Sequence, residues 1–331
     1  MFRHLMFLLL IMCFSHCKAD ITISAVGDIM LGNRLTGTTK VNPDALRQIM
    51  PYLKNSDINF ANLEGPIGGQ HPKTCATEHC HTFSQPVGPA AYLKSIGFNL
   101  ISVANNHARD MGPSGMTSTE SELHNANIEY AGYLHKPHAI FKTGRHTIGM
   151  LAYTHNNQMP DYRNNDYLKD TIKKVKSEVD FLIVSMHAGC EGTAWRRQPV
   201  KNEVCYGEQR GHVKEIMQSA VDFRADLVIG HGPHVPRGVQ IYKHKLILWS
   251  LGNFATARGI DISGISGYAP LVQITYDNQL EIKKFSLLSF RQTQHAVPML
   301  DSKNQAEQVM ITNSPVYTFR YLDHATIDDN F

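Results

Sequence analysis

The stretch Asp226-Leu-Val-Ile-Gly-His-Gly-Pro-His234 constrains this chain more than any other, because a short apolar run typical of a buried strand ends in two histidines that no fold needs there. The arrangement recurs. Ile21–Val26 runs into Gly27-Asp28, Ile58–Leu63 into Glu64, Leu100–Ala104 into Asn105-Asn106-His107, and Phe181–Met186 into His187. In an α/β protein with a mostly parallel sheet, the carboxyl ends of the strands open onto one crevice, where ligands bind. These apolar runs therefore predict a set of ligand-type side chains converging on one site.

Composition sets the frame. With 331 residues, 42% of them hydrophobic and 18% charged, the chain is long enough to bury a real core. The net charge of +3 is weak and its cations scattered, which argues against nucleic acid or a membrane surface as partner. Residues 1–19 read as an export signal: Arg3 and His4 lead, Leu5–Phe14 is a run of ten apolar residues, and Cys17-Lys18-Ala19 resembles a cleavage site. Ten residues are too few to span a bilayer as a helix. Bulky Met12 and His16 disfavour lipoprotein processing at Cys13 or Cys17, so a periplasmic or secreted protein is expected.

Cleavage after Ala19 leaves four cysteines, and an exported chain with four suggests two disulfides. The favoured pairing is Cys75–Cys80 and Cys190–Cys205, since each bond then staples a loop that follows a candidate ligand. The rival reading is a zinc site within His71-Pro-Lys-Thr-Cys75-Ala-Thr-Glu-His79-Cys80-His81, although the spacing matches no standard finger.

Along the chain, strands are expected at 21–26, 58–63, 99–104, 180–186 and 226–229, with helices at 43–54, 89–96, 114–125, 167–179 and 208–224. Short antiparallel strands are expected at 128–131, 139–142 and 147–153. Further strands follow at 238–242, 246–250, 269–276 and 279–290, with hairpin turns at Lys243-His244 and Asp277-Asn278. The order is βα units first and a β-rich end. One large domain over 20–300 is expected, followed by a tail, 301–331, that wraps or stays partly loose.

Mixed carboxylate, amide and imidazole ligands hold Mn, Fe or Zn ions, and Asp28, Glu64, Asn106, His187, His231 and His234 supply such a set. Singly, each has a structural explanation: Asp28 as a helix cap, Asn106 as a turn residue, the histidines as satisfied edge residues. Placed together at strand ends, they predict one or two divalent metals, which lower the pKa of water and clamp the oxygens of a displacement reaction.

The successive motifs Ala25-Val-Gly-Asp-Ile-Met-Leu-Gly32, Asn59-Phe-Ala-Asn-Leu-Glu-Gly65, Ser102-Val-Ala-Asn-Asn-His107, Ser185-Met-His187, Asp226–His234 and Leu248-Trp-Ser-Leu-Gly-Asn-Phe254 resemble those of the CapA/PgsA family. This is the bacterial poly-γ-glutamate capsule synthesis family, itself similar to the calcineurin-like metallophosphoesterases. The resemblance runs from about Ile21 to Phe290 and implies a four-layer α/β/β/α sandwich with a metal crevice at the strand ends. It makes Asp28 the first metal-binding aspartate, Glu64 the bridging carboxylate, and Asn106 the asparagine of the superfamily's Asn-His pair. His107 becomes the candidate general acid, and His187, His231 and His234 the remaining ligands. Two departures stand out: Met30 occupies a position where metallophosphoesterases place a histidine, and Glu64 replaces an aspartate.

Beyond the ligands, Arg34, Arg109 and Arg237 each follow a motif and are candidates to hold an anionic group by forked hydrogen bonds, with simple solvation as the alternative. Glu191 is a candidate substrate contact, and His155 with Asn156 either reaches the crevice or caps a loop. Trp195, Arg196 and Arg197 form either an edge for an extended polymer or a hydrophobic plug with solvated charges. The histidines at 71, 79, 81, 124, 135 and 146 are most simply surface residues. The expectation is an exported, metal-dependent hydrolase acting on an anionic envelope polymer such as poly-γ-glutamate, with other capsule-assembly proteins as partners. A non-catalytic polymer-binding accessory subunit and a periplasmic metallophosphatase of small phosphorylated or carboxylated molecules are the alternatives.

Overall fold

Strands that must bury both faces carry unbroken apolar sequence, and they build the centre of this molecule. A computed structural model of the chain describes residues 20–75, 80–197 and 201–323. The expected export signal, residues 1–19, lies outside the described residues, as does His79. The first half runs β1 (Ile21–Met30), α1 (Met50–Leu53), β2 (Ile58–Leu63), α2 (Pro89–Ile96), β3 (Leu100–Ser102), α3 (Gly112–Asn125) and β4 (Glu129–Ala131). The middle adds β5 (His138–Thr143), β6 (His146–Tyr153), α4 (Asn165–Lys176), β7 (Phe181–His187), β8 (Glu203–Cys205), β9 (Glu208–Gly211), α5 (Val213–Asp222) and β10 (Leu227–His231). The end comprises β11 (Val239–Tyr242), β12 (Lys245–Leu248), β13 (Asn253–Thr256), β14 (Tyr268–Tyr276), β15 (Ile282–Gln294), β16 (Val297–Leu300), α6 (Gln305–Thr312) and α7 (Val316–Asp323).

Two sheets face each other. One has eight strands in the order β16-β15-β14-β1-β2-β3-β4, with β13 also paired to β1. The other has six, β11-β12-β10-β7-β6-β5. Their inner faces share one core, in which Ile23, Phe60 and Leu100 of the first sheet meet Met150, Ile183 and Ile229 of the second. The outer face of the first sheet packs Ala61 and Leu63 against Leu93 and Leu123 of α2 and α3; the outer face of the second packs Val184 and Val228 against Ile172 and Met217 of α4 and α5. Alternate residues of β2, β7 and β10 thus enter different cores, which is why their sequences show no polar alternation. The result is the expected α/β/β/α sandwich. Burying each of these side chains stabilises the fold by about 1.5–3 kcal/mol relative to exposure.

Strand register positions the site. In the parallel pair β7–β10, His187 stands opposite His231 at the carboxyl ends. In the other sheet Asp28 of β1 pairs with Asn62 of β2 on one side and Asn253 of β13 on the other. Strand β1 runs on to Met30, past its expected end at Val26, because the chain at 252–256 closes against it. Asp28 N–H donates to the Gly252 carbonyl at 2.8 Å, and a Cβ on Gly27 would overlap that same oxygen. Gly27→Ala must force the two segments apart, and we expect a loss of about 1–3 kcal/mol of stability. A urea midpoint equal to that of the wild type would show that this approach is not close.

Several expectations need correction. The helix expected over 43–54 is a turn and a 3-10 segment leading into the four residues of α1. Pro51 explains this: it fits a first helical turn but not the middle of a longer helix, where its ring clashes and its missing N–H breaks the ladder. The helix expected from Glu208 begins at Val213, because Gly211 sits at φ 80° and Glu208–Gly211 pairs with β8 instead. The strand at 128–131 pairs parallel to β3, and that at 147–153 parallel to β7, although β5–β6 is antiparallel as expected. Strands β13 and β16 were not anticipated. Beyond residue 300, α6 and α7 pack their buried Met310 and Leu322 into the core between the sheets. Among the described residues no helix is long and apolar enough to cross a membrane.

Candidate metal centre

The ends of β1, β2, β7 and β10 bring Asp28, Glu64, His187 and His231 together, each fully buried. His234 arrives on the loop after β10 at φ 56°, a left-handed conformation that bulky residues rarely adopt. Its Nδ1 lies 2.9 Å from Asn253 Oδ1, and Asn253 in turn donates to the His234 carbonyl. Asn62 ties the two acids, donating through Nδ2 to Asp28 Oδ1 and Glu64 Oε2, both at 2.8 Å. Around them, His231 Nδ1 lies 3.4 Å and His234 Nδ1 3.0 Å from Asp28, and His187 Nδ1 3.6 Å from Glu64. Ligand atoms of Glu64, His187 and His234 all fall within 4.8 Å of one another.

Polar satisfaction tests whether these residues suit a cation. Both ring nitrogens of His187 and both of His231 are buried without a hydrogen-bond partner, as is Glu64 Oε1. Each such orphan costs about 1–3 kcal/mol, so their concentration at one point is unexplained by folding alone. The groups of the cluster act strongly on one another's charge. Burial and the Asp28 charge push the Glu64 carboxyl well above the usual range, while burial holds the His187 imidazole well below its own. Burial opposes ionisation of Asp28, but its contacts with His231 and His234 outweigh that and hold the carboxylate charged. His234 departs from this: burial opposes its charge, but its contact with Asp28 raises the imidazole pKa to about 10, so an incoming cation would have to displace its proton. Carboxylates and imidazoles are nonetheless the donor set of a divalent transition metal. The residues present fit such an ion.

Asn106 follows β3 with its Oδ1 buried and unpartnered, facing a cavity of about 650 Å³ that Arg109, His155 and Glu208 also line. Asn105, by contrast, is spent inward on Leu63 and Asn62. His107 is buried against the Phe83 ring at 4.2 Å, and its Nδ1 lies 2.7 Å from Asp110 Oδ2. Asp110 is fixed by the Phe83 N–H at 2.8 Å and by Lys73 Nζ at 2.7 Å. Met30 packs with Phe83, Ala257 and Ile260 and contributes no ligand.

Both favoured disulfides are present, Cys75–Cys80 and Cys190–Cys205. The alternative zinc site loses its thiolates to the first of them. Two arginines proposed to hold an anion are committed elsewhere. Arg237 is fully buried, with Nη1 and Nη2 each 3.0 Å from Glu203 and Nε on the Trp195 carbonyl at 2.7 Å. It anchors the Cys190–Cys205 loop to β11. Replacing it with methionine strands the Glu203 charge and should cost about 3–5 kcal/mol, readable as a lowered denaturation midpoint. Arg34 donates to Ser84 Oγ at 2.6 Å and the Gly69 carbonyl at 2.7 Å, pinning loops together. Arg109 does stand at the cavity, and Glu191 accepts from Arg210 at 3.4 Å. His155 lines that cavity, and Asn156 caps its own loop, accepting from the Gln158 N–H at 2.9 Å. His146 is buried, not at the surface. Asn62, Asp110, Asn253 and Arg210 were not singled out; Asp110 alone carried a local signal, a carboxylate three residues after His107.

Facing sheets with outer helices and acids and histidines at the strand ends define the calcineurin-like metallophosphoesterase fold. The chain belongs to the bacterial capsule synthesis protein PGA_cap family, whose family model matches residues 22–258. It is 27% identical over 266 residues to the capsule biosynthesis protein CapA of Bacillus anthracis, covering 72% of this chain and 60% of that one. It is 27% identical over 257 residues to the PGA biosynthesis protein CapA of Bacillus subtilis (strain 168), covering 72% and 64%. The match thus spans somewhat under two thirds of these relatives. Among solved structures, a novel phosphatase of Mycoplasma pneumoniae superposes with a TM-score of 0.52 at 14% identity, covering 89% of this chain and 99% of that one. A likeness at that identity shows the fold alone.

Proposed function

We propose that the mature chain is an exported, metal-dependent hydrolase in capsule polymer synthesis or processing, acting on poly-γ-glutamate or a related anionic envelope polymer. The observation that carries this reading is the cluster of unpartnered imidazole nitrogens on His187 and His231 beside the paired acids Asp28 and Glu64. Glu64, His187 and His234, with Asp28, His231 and Asn106, would hold the ion. When bound, a divalent cation supplies Lewis acidity toward a substrate oxygen and a nucleophile at neutral pH.

The chain's own groups do the rest. His107 donates Nδ1–H as a hydrogen bond to the Asp110 carboxylate, which stabilises the imidazolium; Nε2 would take up a proton from the attacking water and deliver it to the leaving group. Lys73 and the Phe83 N–H hold Asp110 still, so the imidazole keeps one orientation. The candidate ligands at the strand ends are themselves buried, which would limit water at the reacting bond. Arg109 at the cavity wall offers a donor for a substrate anion.

A second reading is a polymer-binding accessory protein that keeps the metal fold as a scaffold. Met30 favours it, since a buried thioether stands where the wider superfamily has a ligand. Incubating the manganese-loaded chain with oligo-γ-glutamate and with a chromogenic phosphoester separates these readings. Shortening of the oligomer, abolished by a chelator, is the expected result. Retention of the oligomer without cleavage would transfer the assignment to the accessory role, and turnover of the phosphoester alone would make the protein a phosphatase.

A further inference from the structure

Two arginines are buried against the loop that follows His187, and their partners differ. Arg237 is closed: the carboxylate it meets is itself buried and takes both Nη atoms. Arg210, on β9, is open. Its side chain is 3% exposed, yet its nearest carboxylate, Glu208 at 2.7 Å from Nη2, is 55% exposed. Glu191 stands 3.4 Å from the same Nη2, the Gly189 carbonyl accepts from Nη1 at 3.2 Å, and Nε is buried with no partner. A purely structural pair would bury both halves, as Arg237 and Glu203 do.

The position of Arg210 is fixed from several sides. Its backbone carbonyl accepts from the Tyr162 hydroxyl at 2.9 Å, its Nη1 lies 3.5 Å from His155 Nδ1, and the Cys190–Cys205 bond ties its hairpin to the loop after His187. Glu208 and His155, which touch it, line the same cavity as Asn106 and Arg109. Of the candidate ligands Asn106 lines this cavity, so a substrate reaching from Asn106 along its wall meets Glu208 and, behind it, the guanidinium. Nε and Nη2 share one edge of that group, so an anion displacing Glu208 gains a second hydrogen bond that Glu208 does not make.

We propose that Arg210 is a specificity-determining residue: it reads an anionic oxygen group, carboxylate or phosphate, on the part of the substrate lying in this cavity, while Glu208 holds the place of that group in the free protein. The inference rests on the proposed function for the location of the reacting bond. It is tested by calorimetry on the full mature chain dialysed against manganese, with three probes that share one skeleton: glutarate, its monoamide glutaramate, and 4-phosphonobutyrate.

Wild-type protein should bind one or both fully charged probes roughly tenfold or more tighter than glutaramate. The tighter of the two identifies the group as carboxylate or phosphate. Arg210→Gln should level the three affinities with manganese content unchanged, and Glu208→Gln should tighten the charged probes and widen the gap. Equal binding of all probes by wild type, binding of none, or a gap undiminished in Arg210→Gln overturns the proposal. Should Arg210→Gln not fold, Glu208→Gln decides alone, because its side chain is exposed; an unchanged gap there overturns it equally. A chain that discriminates among the probes while holding no manganese removes the metal reading and leaves the role of Arg210 intact.

Discussion

Replacing His187 and His231 together with alanine should empty the centre of metal and abolish turnover. Both side chains are fully buried, and apart from the Asp28 and Glu64 carboxylates of the cluster itself neither ring nitrogen of either has a partner, so nothing else in the fold substitutes for them. The effect is visible without a substrate. A ligand present at a hundred times its Kd stabilises the native state by about 2.7 kcal/mol, and the wild-type melting temperature should rise with added manganese accordingly. The double variant should show no rise, and elemental analysis should find it metal-free. Retained metal in the double variant would place the ion elsewhere.

His107→Gln should act differently. The imidazole contacts Asp110 and Phe83, not the paired acids, so the variant should keep its metal while losing roughly 10²–10⁴-fold in turnover, the usual contribution of a general acid. Asp110→Asn, which weakens the hold on His107 Nδ1 and the pair with Lys73, should lose less in turnover than His107→Gln and should also keep its metal. A His107→Gln protein as active as wild type would remove the acid from the mechanism; parallel loss of metal would instead make the residue a support of the centre.

Much of this was legible in the sequence because the ligands sit where apolar runs stop. His187 and His231 end strands whose every residue is buried, and the parallel register that sets them side by side follows from the strands being neighbours. Helix α2 was readable to the residue, from Pro89 in its first turn to Gly97 beyond its last. Failures arose where one residue overrode a pattern. Pro51 and Gly211 each cut a helix that the surrounding spacing suggested.

The site was less legible wherever pairing is long-range. Arg237 looked free because Glu203, the carboxylate that closes it, lies 34 residues away in sequence. Asn62 occupies an ordinary strand position, and its bridge between Asp28 and Glu64 exists only because the β1–β2 register sets it beside Asp28. The openness of Arg210 is a property of burial, invisible until its own exposure can be compared with that of Glu208.

The central claim is that acids and imidazoles from both sheets share one cation. An anomalous difference map from a crystal soaked in manganese tests it most directly. The account predicts a peak at coordination distance, about 2.0–2.3 Å, from His187 and Glu64 together, with His231 or His234 completing the shell. A map in which manganese binds only at the protein surface, with those side chains placed as they are now and no density between them, would contradict it.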